Sequence, residues 1–253
     1  MGPMRLSPFL RAPALVFLLA LLTGPALAPA RAGEVLGDDF NEEESHDYNG
    51  MPKLRLALET GYSQWMYNPD SLTPDYDEYL NTLESGWNFS AEAAWFPWPK
   101  GGVGVNWIWF LSKAQRADLK IVKNSNSLHS MRDRVSVVYF GPTFLSRLQC
   151  GRFGLLVGGF GAGPLLMNYT WTDNGLDNVV KATTYAAVAN IGWDYSFYRL
   201  VSFGVNARVL LSNLREYTYN GKKVTLKQPD DPHYWVNISM TRFELNAGIR
   251  FGL

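Results

Sequence analysis

The sequence predicts an all-β protein, a transmembrane antiparallel up-and-down β-barrel of eight strands. Apolar and polar residues alternate in repeated segments, which is the pattern of half-buried strands. Short and long connections follow one another along the chain, as in transmembrane β-barrels. The chain has 9 Trp and 13 Tyr, yet its mean hydropathy is only −0.13, so its apolar residues are interleaved with polar ones. Long apolar helices are therefore not expected.

One continuous apolar run, ALVFLLALL at residues 14–22, is too short to cross a bilayer as a helix. It follows Arg5 and Arg11 and precedes a small-x-small site at Ala30 and Ala32, which predicts a cleaved secretory signal peptide over residues 1–32. Residues 33–52 are acidic and lack periodicity, so we expect a mobile N-terminal segment there. The barrel is expected over residues 53–253.

Composition also limits the chemistry that we expect. The formal net charge is zero and no basic cluster stands out in the sequence, which argues against nucleic acid as a partner. The single Cys150 cannot form an internal disulfide. The acidic residues of the N-terminal segment lack the spacing of a calcium loop, so no metal site and no cofactor are expected.

Eight alternating segments are predicted as strands, at residues 53–67, 86–96, 103–111, 134–146, 153–169, 183–197, 201–211 and from about 234 onward. The third segment shows the pattern clearly, because Val105 and Trp107 share one face while Asn106 lies on the other. The segments at 134–146 and 153–169 have apolar residues at both odd and even positions, so the sequence does not show which face of each points inward. Residues 68–85, 113–132, 170–182 and 212–233 are predicted long polar loops, and Asn220-Gly221 in the last predicts a β-ribbon with a type I′ turn.

The bulky face of the predicted strands is expected to point outward. Eight strands enclose a lumen that side chains can just fill, and the large aromatic residues together would overfill it. Water would penalise them outside by about 25 cal/mol per Å² of apolar surface, whereas lipid would not. The predicted lipid-facing and interfacial aromatic residues are Trp87, Trp95, Trp107, Trp109, Tyr185, Trp193 and Tyr195.

The last residues of the chain, TRFELNAGIRFGL, carry the same alternation. With Phe251 and Leu253 on the outward face, this strand resembles the C-terminal strand of Gram-negative outer-membrane proteins, which usually ends in Phe and is read by the barrel assembly machinery. Here the final residue is Leu253. Over residues 53–253 the pattern resembles the small eight-stranded barrels of the OmpA transmembrane domain, OmpX and OmpW group. The resemblance implies an outer-membrane location, with outer-membrane lipid and the assembly machinery as partners.

Seven charged residues fall on the inward parity: Arg55, Glu59, Glu92, Asp194, Arg208, Glu244 and Arg250. A buried unpaired charge is costly, so the presence of both signs predicts internal ion pairs, drawn from Glu59, Glu92, Arg208 and Glu244. This lumen charge network is expected to act as a polar plug. The alternative is a gate or selectivity element in a pore.

Three functions remain open at the level of the sequence. The favoured one is a non-enzymatic barrel with a plugged lumen and external loops for surface interaction or envelope integrity, with no external ligand indicated. The second is a narrow porin-like channel for small solutes. The third is a lipid-modifying enzyme, which would need a histidine beside a serine and a carboxylate. His129 is followed by Ser130 but by no matching carboxylate nearby, so no catalytic residues are expected.

Overall fold

The computed structural model describes residues 51–66, 74–119, 128–150, 154–198, 200–225, 227–228, 231–235 and 238–253. The predicted signal peptide and residues 33–50 of the acidic segment lie outside this range. The elements are β1 (Leu54–Trp65), α1 (Pro74–Glu84), β2 (Ser85–Trp95), β3 (Gly101–Leu119), β4 (His129–Cys150), β5 (Gly154–Asp173), β6 (Leu176–Tyr198), β7 (Val201–Leu214), β8 (Glu216–Tyr219), β9 (Lys222–Thr225), β10 (Lys227–Gln228), β11 (Asp231–Trp235), β12 (Ile238–Ser239) and β13 (Arg242–Gly252).

Eight of these strands form a closed antiparallel ring. Strands β1 to β7 pair in sequence order, and β13 pairs with both β7 and β1. Two backbone hydrogen bonds of 2.9 Å between Leu54 and Leu253 extend the β1–β13 ladder beyond the last paired residues. Closure leaves no open sheet edge within the ring, so the predicted eight-stranded barrel is confirmed.

The alternation of side chains separates an inner from an outer face in every strand of the ring. Asn106 is 1% exposed, whereas its neighbour Trp107 is 39% exposed, as the alternation predicts. The structure also shows which residues of β4 and β5 face the lumen, a question that the sequence left open. The odd-numbered residues of β4 from Met131 to Arg147 point inward, and in β5 Val157, Gly159, Gly163, Leu165 and Met167 do the same.

Strands β3 to β6 are longer than predicted, with 19 to 23 residues each. About 9 to 11 residues cross a bilayer in a barrel of this kind, so these strands extend beyond the apolar belt on the loop side. The prediction of a loop over residues 170–182 is wrong. Strands β5 and β6 instead join through Asn174 and Gly175, whose φ angles of 47° and 84° fit a tight turn that favours glycine. The outer face turns polar there, which hid the strand pattern.

The connection at residues 113–132, also predicted as a loop, is strand as far as Leu119 and again from His129. The connection over residues 68–85 contains the helix α1, which the sequence analysis missed. The ribbon predicted at Asn220-Gly221 is confirmed as β8 and β9, with φ angles of 45° and 83° at the turn. The last strand begins at Arg242 rather than near Tyr234. Among the described residues, no helix has both the length and the apolar character needed to cross a bilayer.

The outer face of β3 offers a direct test of the assigned sides. Val105 is exposed in the middle of the apolar belt, and Asn106 faces the lumen. We expect Val105→Arg to lower the free energy of unfolding in lipid vesicles by about 2 to 4 kcal/mol, because a cation at mid-bilayer loses its hydration. Asn106→Ser, the lumen control, should carry no lipid penalty. Equal losses in urea titrations of both variants would contradict this assignment of faces.

Candidate functional site: the charged lumen

The lumen holds all seven inward charges that the sequence indicated. Six of them are buried, and the side chain of Arg55 is 11% exposed. They come from five neighbouring strands of the ring, β6, β7, β13, β1 and β2. In each strand the residue that follows the charged one faces outward. The alternation that builds the barrel therefore also points these charges into the lumen.

The charges form one chain in which acids and bases alternate. Arg208 lies near one end of it, with its Nη2 2.8 Å from Glu59 Oε2 and its Nη1 3.0 Å from Glu244 Oε2. Glu59 also pairs with Arg250, whose Nε lies 2.9 Å from Asp194 Oδ1. The carboxylate of Glu59 further accepts hydrogen bonds from Ser90 and Asn206. Arg208 therefore contacts Glu59 and Glu244.

Arg55 links the far end of the chain. Its Nη2 lies 2.8 Å from Asp194 Oδ2, and its Nη1 pairs with Glu92. Because Glu92 is on β2 and Asp194 is on β6, these contacts cross the lumen. The order of charges is thus Glu92, Arg55, Asp194, Arg250, Glu59, Arg208 and Glu244. Glu92 pairs with Arg55 rather than with Arg208, which the sequence analysis had considered as its partner.

Arg242 is a lumen charge that the sequence analysis omitted, although it shares the parity of Glu244. Its side chain is fully buried, with Nη2 3.6 Å from Glu244 Oε1 and the guanidinium 4.6 Å from the centre of the Phe110 ring. The seven predicted residues comprise four acids and three bases. Arg242 makes the two signs equal in number, which limits the cost of burying the set.

Arg147 closes the lumen at the short-turn end and was also missed, because it lies one residue past the strand predicted at 134–146. Its Nε donates to the Pro99 carbonyl at 2.8 Å and its Nη1 to the Pro52 carbonyl at 2.7 Å. The guanidinium lies 4.2 Å from the centre of the buried Phe96 ring. These contacts place a large side chain across the turn-side mouth.

The loop-side half of the lumen is apolar, which corrects the prediction of a polar lumen throughout. Its buried side chains pack like the core of a soluble domain and include Ile108, Phe110, Val135, Val137, Tyr139, Leu165, Val188, Leu210 and Leu214. We call this set the apolar cluster. The long strands β3 to β6 continue past the belt, and this part of their inner face is lined by apolar residues that fill the interior.

Helix α1 packs on the loop-side end of the apolar cluster. Tyr79 and Leu83, four residues apart and therefore on one side of the helix, are both buried. The Tyr79 hydroxyl lies 3.5 Å from the Ala114 carbonyl. Burial of the ring, with Asp133 nearby, raises the pKa of the Tyr79 phenol above its usual value. The helix thus covers the interior on the side opposite to Arg147.

The predicted lipid-facing aromatic residues all lie on the outer face. Trp87, Trp95, Trp107, Tyr185, Trp193 and Tyr195 are exposed, with Tyr185 at 80%. Trp109 is partly covered, and its Nε1 donates to Ser136 Oγ at 3.0 Å. Phe251 and Leu253 are exposed as well, with Phe251 paired opposite Leu56.

The expectation that His129 lacks a carboxylate is wrong, because β5 brings Asp173 beside it. His129 Nδ1 lies 2.9 Å from Asp173 Oδ1. Within the described residues no hydroxyl makes a hydrogen bond to the other ring nitrogen, and no group of three or more His, Cys, Asp or Glu residues could hold a metal ion. Cys150 is partly exposed at the end of β4, and its thiol is free.

An eight-stranded antiparallel ring with an apolar outer face and charges inside has the architecture of a transmembrane β-barrel. No protein-family model and no curated protein sequence matches the chain. Solved structures that are similar include Neisserial surface protein A, at 11% identity and a TM-score of 0.44 over 79% of this chain and 97% of that one. Another is a major outer membrane protein from Thermus thermophilus, which is 12% identical and has a TM-score of 0.49. That match covers 79% of this chain and 99% of that one.

A third is Ail, the attachment invasion locus protein of Yersinia pestis, in complex with the heparin analogue sucrose octasulfate. It is 16% identical, has a TM-score of 0.41, and matches over 79% of this chain and 99% of that chain. At such low identities, no ligand or activity transfers from these proteins.

The alternating charge chain predicts a specific pattern of stabilities. We expect Arg208→Met to lower the free energy of unfolding by about 3 to 5 kcal/mol, because Glu244 and Glu59 lose a buried counter-charge. The double variant Arg208→Met with Glu244→Gln should lose less, since the buried set then again holds equal numbers of acids and bases, as it does in the unmodified protein. Urea unfolding in vesicles measures both.

The control for this comparison is Arg116→Met. Arg116 pairs with Glu78 in an exposed ion pair, whose loss should cost about 1 kcal/mol or less. If the double variant lost more stability than Arg208→Met alone, Arg208 and Glu244 would not be coupled as the distances indicate.

Proposed function

We propose that this protein is a non-enzymatic outer-membrane barrel whose lumen is closed and whose loop-side end faces outward for surface interaction or envelope integrity. The observation that carries the proposal is the filling of the lumen along its length. Arg147 and Phe96 lie at the turn-side end, the charge chain crosses the middle, and the apolar cluster with α1 occupies the loop side.

Two layers of different chemistry support closure rather than transport. An ion or small polar solute would have to displace the buried pairs around Arg208 and then leave its hydration shell to pass Phe110 and Leu210. Neutral polar side chains also line the middle of the lumen, among them Asn106, Asn190, Asn206 and Asn246. They favour the second candidate, a narrow channel for small solutes, only if the apolar layer opens.

The loop-side surface supplies elements suited to contact with external partners. The β5–β6 and β8–β9 ribbons project there, and Trp171 stacks on Tyr219 with ring centres 5.6 Å apart. Lipid modification is the least supported function, because His129 and Asp173 lack a hydrogen-bonded hydroxyl among the described residues. The proposed partners are outer-membrane lipid and, during biogenesis, the barrel assembly machinery.

Planar-bilayer recordings test the closed lumen. We expect little steady conductance from the unmodified protein, and only brief openings from either Arg208→Ser with Glu244→Ser or Phe110→Ala with Leu210→Ala. Each pair of substitutions weakens one layer and leaves the other in place. The combination of all four should give steady conductance.

Heat-modifiable migration on a gel serves as the control that each variant is a folded barrel. A large, stable conductance from the unmodified protein, unaffected by these substitutions, would reject the closed lumen and favour the narrow channel.

A further inference from the structure

We infer that the outer wall of β3, β4 and β6 carries a binding site for the phosphate groups of an anionic lipid in the adjoining leaflet. The site consists of Lys113, Arg132, Arg134 and Lys181, which we call the basic patch. All four side chains are exposed on the outer face of the ring. The inference rests on the proposed function, because it requires the apolar belt to lie in a bilayer.

The register brings two of these cations directly opposite each other. Lys113 on β3 pairs with Arg134 on β4 in the antiparallel ladder, and Arg132 follows two residues along on the same face of β4. Like charges at directly opposed positions destabilise a sheet unless an anion lies between them. Lys181 on β6 extends the patch beyond Asn168 and Thr170 of β5.

No acidic group of the described residues neutralises the patch. None of its four cations lies within 4.0 Å of a described carboxylate. Of the acids on strands β3 to β6, Asp177 accepts a hydrogen bond of 2.6 Å from Thr172, Asp173 pairs with His129, and Asp133 points inward. Asp118 of β3 is exposed and lies five residues from Lys113 along the strand. The chain as a whole is neutral, so the patch is a local excess of positive charge.

The position of the patch matches the headgroup layer. Lys113 lies two residues beyond Leu111, Arg134 four residues beyond Val138, and Lys181 four residues beyond the highly exposed Tyr185. At about 3.3 Å per residue, these offsets put Lys113, Arg134 and Lys181 roughly 7 to 13 Å along the strands from the apolar belt, and Arg132 lies two residues farther out on β4. Phosphates of lipids whose acyl chains lie against Trp109 and Tyr185 would be within reach of the long side chains.

The other half of the ring lacks this feature. On β13, β1 and β2 the outward residues just beyond Phe243, Tyr62 and Trp87 are Thr241, Gln64 and Ser85, which are uncharged. On β7, Asn213 follows Leu211, and the exposed Arg215 comes two residues later, where the end of β7 lies beside β6. A general preference for cations at the membrane surface would distribute them around the ring. Their concentration on β3, β4 and β6 instead favours a defined lipid site on one side of the barrel.

The test uses the full-length protein in nanodiscs of phosphatidylcholine that contain small fractions of diphosphorylated lipid A, with native mass spectrometry counting the lipid retained. We expect selective retention of the diphosphorylated lipid, weaker retention of the monophosphorylated form, and loss of both in high salt. Lys113→Gln with Arg134→Gln should weaken retention about 30-fold, since each surface cation contributes about 1 kcal/mol toward anionic lipid.

Lys53→Gln with Lys222→Gln is the matched control, because it also removes two exposed cations but leaves the patch intact. It should retain lipid like the unmodified protein. Equal weakening in the two double variants, or equal retention of phosphatidylcholine and lipid A, would overturn the inference. Competition by millimolar inorganic phosphate would show a site for free phosphate instead of lipid, which also contradicts it.

Folding is controlled separately in every sample. Heat-modifiable migration reports whether the barrel has inserted, and the single variants Lys113→Gln and Arg134→Gln replace the double variant if it fails to fold. Inserted protein without lipid selectivity would reject the basic patch alone. Failure of the unmodified protein to insert into any bilayer would reject the proposed function itself.

Discussion

The pairing of β1 with β13 is the constraint on which the rest of the structure depends. It converts a meandering sheet into a ring and so satisfies the edge hydrogen bonds that a bilayer could not. It also creates an interior. Glu59 of β1 lies against Arg250 of β13 and Arg208 of β7 only because the ring has closed. The charge chain is thus a consequence of closure and, through Coulomb attraction between strands, a reinforcement of it.

The interior shows how a narrow barrel manages side chains of different character. Around Glu59 and Arg208 the wall is rich in small residues, since Gly61, Gly204 and Gly248 bring neighbouring backbone so near that a Cβ would collide with it. This leaves room for long arginine side chains to cross the lumen. Toward the loops, where the strands extend past the belt, aliphatic and aromatic residues fill the same space. One ring therefore holds a paired ionic layer and a packed apolar layer.

The outer wall is equally divided, although the alternation of residues is the same on every strand. Around the belt the outward residues are large and apolar, as lipid contact requires. Beyond it, β3, β4 and β6 carry the cations of the basic patch, while the outward positions next to the belt on β13, β1 and β2 are neutral. The side of the barrel whose strands extend farthest beyond the belt is thus also the side that carries the basic patch near the headgroup level. The strand length and the charge distribution together give the barrel one side that is suited to binding anionic lipid.

The sequence by itself determined the number of ring strands, the outward aromatic residues and the inward parity of the charges, because a period of two is a local property that needs no partner strand. It missed the extensions of β5 and β6, since polar residues on the water-exposed outer face hide the alternation. It also missed Asp173 beside His129, which is 44 residues away in sequence.

The tertiary structure alone decided which charges meet. Arg208 pairs with Glu59 and Glu244 while Glu92 pairs with Arg55, because strand register and ring closure set their relative positions. It likewise decided that Arg242 balances the charge chain and that Lys113 stands opposite Arg134. Spacing along the chain carries no information about neighbours across a sheet, and those neighbours determine whether a charge is paired, buried or free to bind.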